Sequence, residues 1–452
     1  MKNKSKHIIV LDIVGLDVSH VNSGLMPAIS EIANKGQYGY MKPVFPAVTS
    51  TVQTSILSGK YPNEHGIISN GLYDRENLQV QFWEQSSKLV QADRIWDILK
   101  RENNTIKTSV LFWQNTMFAN SDYVITPRPI HLENGQVDMW CYSRPPNYYE
   151  EVVQSIGEFD LFSYWGPFAS FKSSEWIAKS VEYTLQKYNP NLLFAYLPQL
   201  DYTSQKFGKD SNEVKQDLRK IDKIIDTIIK KVEEMGKAEE TEFIFFSEYA
   251  FNNVNDGLSI NKILRENGLL YTRTINNKEY IDFEYSKAFA MVDHQIANIY
   301  VNNFDDINKI KKELENISGI ENVYGEREKQ QMKINHPRSG ELIAISTKDK
   351  WFNYHWWYEN DKAPTFTKTV DIHRKPGYDP LELFIDPQKK SISFETKMIK
   401  GSHGRPYNVE TGEGLSAYIS SKKIENAQSD SFKDTNILNC TEIFNIIKNN
   451  FL

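Results

Sequence analysis

The sequence predicts an α/β protein: a mostly parallel central sheet with helices on both faces, plus a smaller α+β insertion. Three observations carry that expectation. Segments such as "HIIVLDIVG" (7–15), "NLLFAYL" (191–197) and "EFIFFSEY" (242–249) are near-continuous apolar runs, as strands covered on both faces require. Amphipathic stretches of helical period separate them. Acidic residues fall at or just after the ends of these runs (Asp12, Asp201, Glu248), where open α/β sheets bind their ligands.

The elements follow in order. The first strand, 7–15, is preceded by basic residues in the manner of a secretion signal. However, Asp12 and Asp17 interrupt the apolar run and no small-residue cleavage site follows, so a buried strand is expected. "MPAISEIANKG" (26–36) reads as a helix stopped by Gly36, and "DRIWDILKREN" (93–103) as a helix leading to the strand "KTSVLFW" (107–113). "SEWIAKSVEYTLQKY" (174–188) is a helix before the strand at 191–197, and a long amphipathic helix over 211–236 precedes the strand at 242–249. After residue 250 the rhythm changes. "SINKILRENGLL" and "DINKIKKELENI" read as helices, "AFAMVDHQIANIYV" (288–301) as a strand pair and "GELIAIST" (340–347) as a further strand. The organisation expected is a main domain of residues 1–284 and 396–452 interrupted by an insertion at 285–395, with a last helix in "CTEIFNIIKNNF".

Composition narrows the class. With 452 residues, 40% hydrophobic and 25% charged, the chain can build a large core. A net charge of −6 gives no reason to expect a nucleic-acid polymer as partner. Two distant cysteines, Cys141 and Cys440, exclude a disulfide framework and a cysteine-rich zinc site, so a reducing, cytoplasmic setting is expected. No window approaches the apolar length of a membrane-spanning helix. The aromatic run "FNYHWWYEN" (352–360) is expected to pack the insertion against the main domain.

One stretch points to chemistry. "FPAVTSTVQTSILSG" (45–59) gathers Thr49, Ser50, Thr51, Thr54 and Ser55 ahead of an apolar helical turn. Such hydroxyls cap helices. A hydroxyl there also sits where the helix dipole and free N–H groups favour an anion, which suits a nucleophile.

Taken with "VLDIVGLD", the block from "MPAISEIANKG" to "NGLYD", "LPQLDYTSQKFG", "FFSEYAF" and "GSHG", in that order, this stretch resembles the type I phosphodiesterase/nucleotide pyrophosphatase branch of the alkaline phosphatase superfamily. The resemblance covers the first 250 residues and the region around His403, and only loosely 285–395. It implies an alkaline phosphatase-like fold and a metal-dependent hydrolase that cleaves a phosphodiester or pyrophosphate bond of a small, nucleotide-like substrate. Thr49 would be the nucleophile and touch a first cation that Asp12 ligates. Asp201 and His403 would hold a second cation, Gln205 and Glu248 stand at further metal-ligand positions, and Asn70 would contact a phosphate oxygen. Coordination to a divalent ion favours the Thr alkoxide, a second ion stabilises the opposite oxygen of an in-line displacement, and fixed donors stabilise the charge that builds on the phosphoryl group.

Three positions depart from the family pattern. Gln205 stands where a histidine is usual, and Glu248 and Tyr249 stand for Asp-His. Two cations (Zn, Mn, Mg or Ca) are expected, the oxygen-rich set leaning away from two zincs. His294 and His373 are candidates to compensate, and His373 and Lys375 to contact substrate. Monoester, phosphonate or sulfate hydrolysis, phosphoryl transfer, and a binding protein with a degraded metal site stay open alongside.

Overall fold

The computed structural model describes residues 5–133, 137–424, 431–432 and 435–452. Among them, a ten-stranded sheet runs in the order Ser431–Phe432, Thr435–Asn439, Gln37–Lys42, Ser416–Ser420, Thr241–Phe246, His7–Ile13, Leu192–Leu197, Thr108–Leu111, Tyr123–Pro127, Cys141–Arg144. Its centre is parallel: His7–Ile13 pairs in that sense with both Leu192–Leu197 and Thr241–Phe246, and the run continues through Thr108–Leu111 to Tyr123–Pro127. Ser416–Ser420 and Cys141–Arg144 join antiparallel. Every residue of the three central strands is buried, which is why they carry no polar alternation.

Two helical layers flank the sheet. Pro27–Lys35, Lys172–Tyr188 and Asn212–Glu234 pack together as one, and Thr49–Ser58, Ile95–Glu102 and Glu442–Phe451 as the other. The long helix shows how sequence sets such a layer: Ser211 accepts from the Val214 N–H at its start. Val214, Leu218, Ile221, Ile225, Ile228 and Val232 then form its buried stripe.

A second sheet, antiparallel throughout, orders Ala288–Asp293, Ile296–Val301, Leu342–Ser346 and Ile320–Tyr324. The core on it also takes in Phe45, Ile68, Tyr73, Val80 and Phe82, so the chain around Asn70 is held by this second core. Phe352, Tyr354, Trp356 and Trp357 of the aromatic run are buried. Among the described residues no helix is long and apolar enough to cross a membrane. Cys141 and Cys440 are unpaired and buried.

The register of the central strands positions the chemistry. Asp12 lies level with Tyr196 and Phe246, near the carboxyl ends of both neighbours. Asp201 and Glu248 follow those same neighbours' ends, so three carboxylates from three adjacent strands meet at one edge of the sheet.

Candidate active site

Thr49 opens the helix Thr49–Ser58. The N-cap is Val48, in extended conformation and with no side-chain cap, so the hydroxyl cluster does not cap this helix. Instead Thr49 Oγ1 lies 3.3 Å from the Tyr249 hydroxyl, and the Ser50 N–H donates to Asn70 Oδ1 at 2.9 Å. All ten residues of the helix are buried, so its polar groups must find partners within the protein. Gln53, one turn on, donates from Nε2 to Asp12 Oδ2 at 3.1 Å and accepts the Gln114 N–H at 2.8 Å.

Asp12 and Glu248 are fully buried and face one another. Asp12 Oδ1 and both Glu248 oxygens lack a hydrogen-bond donor among the described residues. Burial pushes both carboxyls above their ordinary range, and Asp12 pushes Glu248 further; Thr49 and Gln53 beside Glu248 act the other way. Buried carboxylate oxygens with no donor are what a cation satisfies. Two carboxylates and the Thr49 hydroxyl, all oxygen, suit a hard divalent ion.

The Asp201 side differs. Gln205 Nε2 donates to Asp201 Oδ2 at 2.7 Å and the Tyr249 hydroxyl to Oδ1 at 3.3 Å. Gln205 Oε1 accepts from the Tyr378 hydroxyl at 2.9 Å, so the expected Gln205 ligand presents an N–H, not an oxygen, towards Asp201. Burial raises the Asp201 carboxyl to about 7, against the pull of His294. His403 donates from Nδ1 to the Ala47 carbonyl at 2.8 Å, which leaves its Nε2 lone pair 3.8 Å from Asp201 Oδ1 and without a donor. Burial holds its pKa far below the usual range, with His294 adding to the effect, so the ring is neutral. The Tyr249 ring stacks on it at 3.4 Å, nearly parallel. Gly404 follows with φ +108, a conformation that side chains with a Cβ rarely adopt, and its carbonyl accepts the Ala47 N–H. The "GSHG" segment is thereby tied to the entry of the helix Thr49–Ser58. No group of three or more His, Cys, Asp or Glu among the described residues is arranged to hold a metal ion.

Asp293 was not singled out by the sequence, yet it holds Asn70, the expected phosphate contact, in place. Its Oδ2 accepts from Ser69 Oγ at 2.6 Å and the Asn70 N–H at 2.8 Å; its Oδ1 accepts from Asn70 Nδ2 at 3.1 Å and His294 Nδ1 at 2.7 Å. A carboxylate only accepts and a backbone N–H only donates, so the Asn70 amide has one orientation: Oδ1 to Ser50, Nδ2 to Asp293. His294 sits at the 293–296 hairpin with φ 60 and stacks on Tyr378 at 3.8 Å, close to His403. It therefore lies within the cluster, although its Nδ1 is engaged by Asp293. The Asp293 partners Ser69 and Asn70 lie 224 and 223 residues away in sequence; its only local sign was its place beside His294.

The remaining candidates lie apart. His373 is exposed, with Nδ1 3.1 Å from the Phe82 carbonyl at the rim, one residue from Trp83, whose N–H donates to the Asn70 carbonyl. Lys375 is not available to a substrate. It is 1% exposed and its ammonium is bound by Asp379 at 2.8 Å and Glu382 at 2.6 Å. His65 is structural: it bridges Ser55 Oγ at 2.9 Å and the Ile67 N–H at 3.1 Å.

Comparison with known proteins identifies the family. The type I phosphodiesterase/nucleotide pyrophosphatase family profile matches residues 8–379. An uncharacterized pyrophosphatase/phosphodiesterase of Schizosaccharomyces pombe is 22% identical over 255 residues, 55% of this chain and 45% of that protein. Rat ectonucleotide pyrophosphatase/phosphodiesterase family member 1 is 25% identical over 235 residues, 51% of this chain and 22% of that protein. The chain thus spans less than half the length of these two relatives. In fold, phosphonoacetate hydrolase of Sinorhizobium meliloti, solved with phosphonoformate, superposes with a TM-score of 0.65 at 14% identity over 100% of this chain and 97% of that one. Murine ectonucleotide pyrophosphatase/phosphodiesterase 5, solved as an inactive variant with AMP, gives 0.62 at 14% identity over 99% and 95%. The chain belongs to the type I phosphodiesterase/nucleotide pyrophosphatase family.

Proposed function

We propose that this chain is a metal-dependent phosphohydrolase that cleaves a phosphodiester or pyrophosphate bond in a small, nucleotide-like substrate through a phospho-Thr49 intermediate. The observation that carries the reading is the placement of Thr49 at a helix start, between the donor-less carboxylates of Asp12 and Glu248 and the oriented amide of Asn70. Asp12, Glu248 and Thr49 would hold a divalent cation, which when bound favours the ionised form of the hydroxyl.

The chain's own groups then account for the reaction. Thr49 Oγ1 forms a bond to phosphorus as the bond to the leaving oxygen breaks. Glu248, beside Thr49, takes the hydroxyl proton. The Asn70 amide, held by Asp293 and Ser50, and the free N–H groups of the helix start donate to the phosphoryl oxygens. Water then attacks phosphorus as the bond to Thr49 Oγ1 breaks; Thr49 takes its proton back from Glu248, and the water's proton leaves with the phosphate product. The two unpaired buried cysteines support a reducing, cytoplasmic location.

The test is turnover of bis-p-nitrophenyl phosphate by metal-stripped protein after single ions are re-added, beside a p-nitrophenyl monoester and a sulfate ester. Diester turnover restored by an ion, and lowered about a thousandfold or more in Thr49→Ala, is expected. Unchanged turnover in Thr49→Ala would remove the mechanism, and preference for the monoester or sulfate would change the reaction class.

A further inference from the structure

Where the family resemblance implies a second cation, this chain supplies hydrogens. The two Asp201 oxygens face the Gln205 amide at 2.7 Å and the Tyr249 hydroxyl at 3.3 Å, and the Gln205 oxygen is engaged by the Tyr378 hydroxyl at 2.9 Å. Of Asp201, Gln205 and His403, only His403 Nε2 is without a hydrogen-bond partner. One carboxylate already hydrogen-bonded and one imidazole make a poor site for a second divalent ion. The first set, by contrast, leaves three carboxylate oxygens without donors.

The Tyr249 hydroxyl is equidistant, at 3.3 Å, from Thr49 Oγ1 and Asp201 Oδ1. It is held there on two sides: the ring lies flat on His403 at 3.4 Å and meets Phe251 edge-on at 5.7 Å. A phosphorus bonded to Thr49 Oγ1 carries its non-bridging oxygens two bonds beyond Oγ1, within hydrogen-bonding reach of a hydroxyl so placed.

Building on the function proposed above, we propose that the Tyr249 hydroxyl replaces the second cation: the site holds one divalent ion, and Tyr249 donates to a phosphoryl oxygen of the substrate. In the free protein its hydrogen goes to Asp201. With a phosphoryl group on Thr49 it turns to the phosphoryl oxygen, and Asp201 keeps the Gln205 amide. A neutral donor of fixed position stabilises developing charge without a second ion, as other preorganised donors do.

Two measurements test this. Equilibrium dialysis against Mn²⁺ with metal analysis is expected to give one ion per chain in the wild type, and two once the imidazoles are restored in Tyr249→His with Gln205→His. Tyr249→Phe, which keeps the ring stack and removes only the hydroxyl, is expected to keep one ion per chain and lose tenfold or more in kcat on bis-p-nitrophenyl phosphate. Two ions per wild-type chain with turnover would overturn the inference while leaving the phosphohydrolase reading intact. So would full turnover in Tyr249→Phe. No bound ion and no turnover in the wild type would instead overturn that reading, and this inference with it.

Discussion

Replacing Asp293 by asparagine changes one atom of a group that is fully buried and accepts four hydrogen bonds. The amide keeps one acceptor oxygen but sets an NH₂ group against either the Ser69 and Asn70 backbone donors or the Asn70 amide and His294. At least one buried donor is left facing another donor. An unsatisfied buried donor costs about 1–3 kcal/mol, and hydrogen bonds to a charged group are worth about 1.5–3 kcal/mol each. Part of that loss is recovered by small rotations of the Ser69 hydroxyl, so about 2–3 kcal/mol of stability is expected to be lost. The functional consequence is separate. Without the carboxylate, the Asn70 amide loses the group that fixes its orientation. Losing one donor to a developing oxyanion costs about a hundredfold or more in kcat. A misoriented donor is expected to cost at least about tenfold of that, with KM changed little, because the contact matters most in the transition state. Urea denaturation followed by fluorescence reads the first quantity and steady-state diester kinetics the second. If Asp293→Asn kept wild-type stability and wild-type kcat, Asp293 would not be the organiser of Asn70.

Three further outcomes follow from the same structure. Lys375→Met removes the cation from between Asp379 and Glu382 and leaves two carboxylates buried together. It is expected to cost about 3–5 kcal/mol of stability. The protein that remains folded is expected to keep a KM within about twofold of wild type, which diester kinetics below the melting transition would check. His65 is held at about 3, chiefly by burial, whereas an unfolded histidine titrates near 6.5. The unfolded chain therefore binds the proton first as pH falls, and His65 stabilises the fold fully above pH 6.5 and progressively less below it. About 2–3 kcal/mol of its contribution is expected to be gone by about pH 4.5, so denaturation of His65→Asn across that range should show a visibly shallower acid limb. Adding Mn²⁺ to metal-free protein at pH 6 is expected to release protons, because burial holds Asp12 and Glu248 above their ordinary range. Calorimetric titration in two buffers of different ionisation enthalpy measures that release, and identical heats in both would contradict it.

Much of the fold was legible because its signals are local. Apolar runs without alternation gave the central strands at 7–13, 192–197 and 241–246, and the 3.6-residue stripe gave the helix Asn212–Glu234. Six other strands of the sheet were not read, among them Gln37–Lys42, Ser416–Ser420, Tyr123–Pro127 and Cys141–Arg144. These four are short and carry Gly, Lys, Ser or Pro, and what makes them strands is pairing with partners that are distant in the chain or themselves unread. The site divides the same way. Asp12, Thr49, Asn70, Asp201, Glu248 and His403 stand at motif positions and the fold gathers them with their partners at one edge of the sheet. Gln205 and Tyr249 were visible as departures, but not that they would satisfy Asp201 by donating to it. Asp293 reaches Ser69 and Asn70 across more than two hundred residues, and the ion cluster around Lys375 withdraws a charge that the sequence offered to the substrate.

The most direct test of the account is the covalent state of Thr49 during turnover. Wild-type protein loaded with Mn²⁺ would be mixed with bis-p-nitrophenyl phosphate, quenched in acid within the first turnovers, digested and mapped by mass spectrometry. The account predicts a p-nitrophenyl phosphoryl adduct confined to Thr49 in the peptide from helix Thr49–Ser58, absent in Thr49→Ala and lost on a chase with buffer. Steady hydrolysis with Thr49 unmodified at every quench time, or an adduct on another residue, would contradict it.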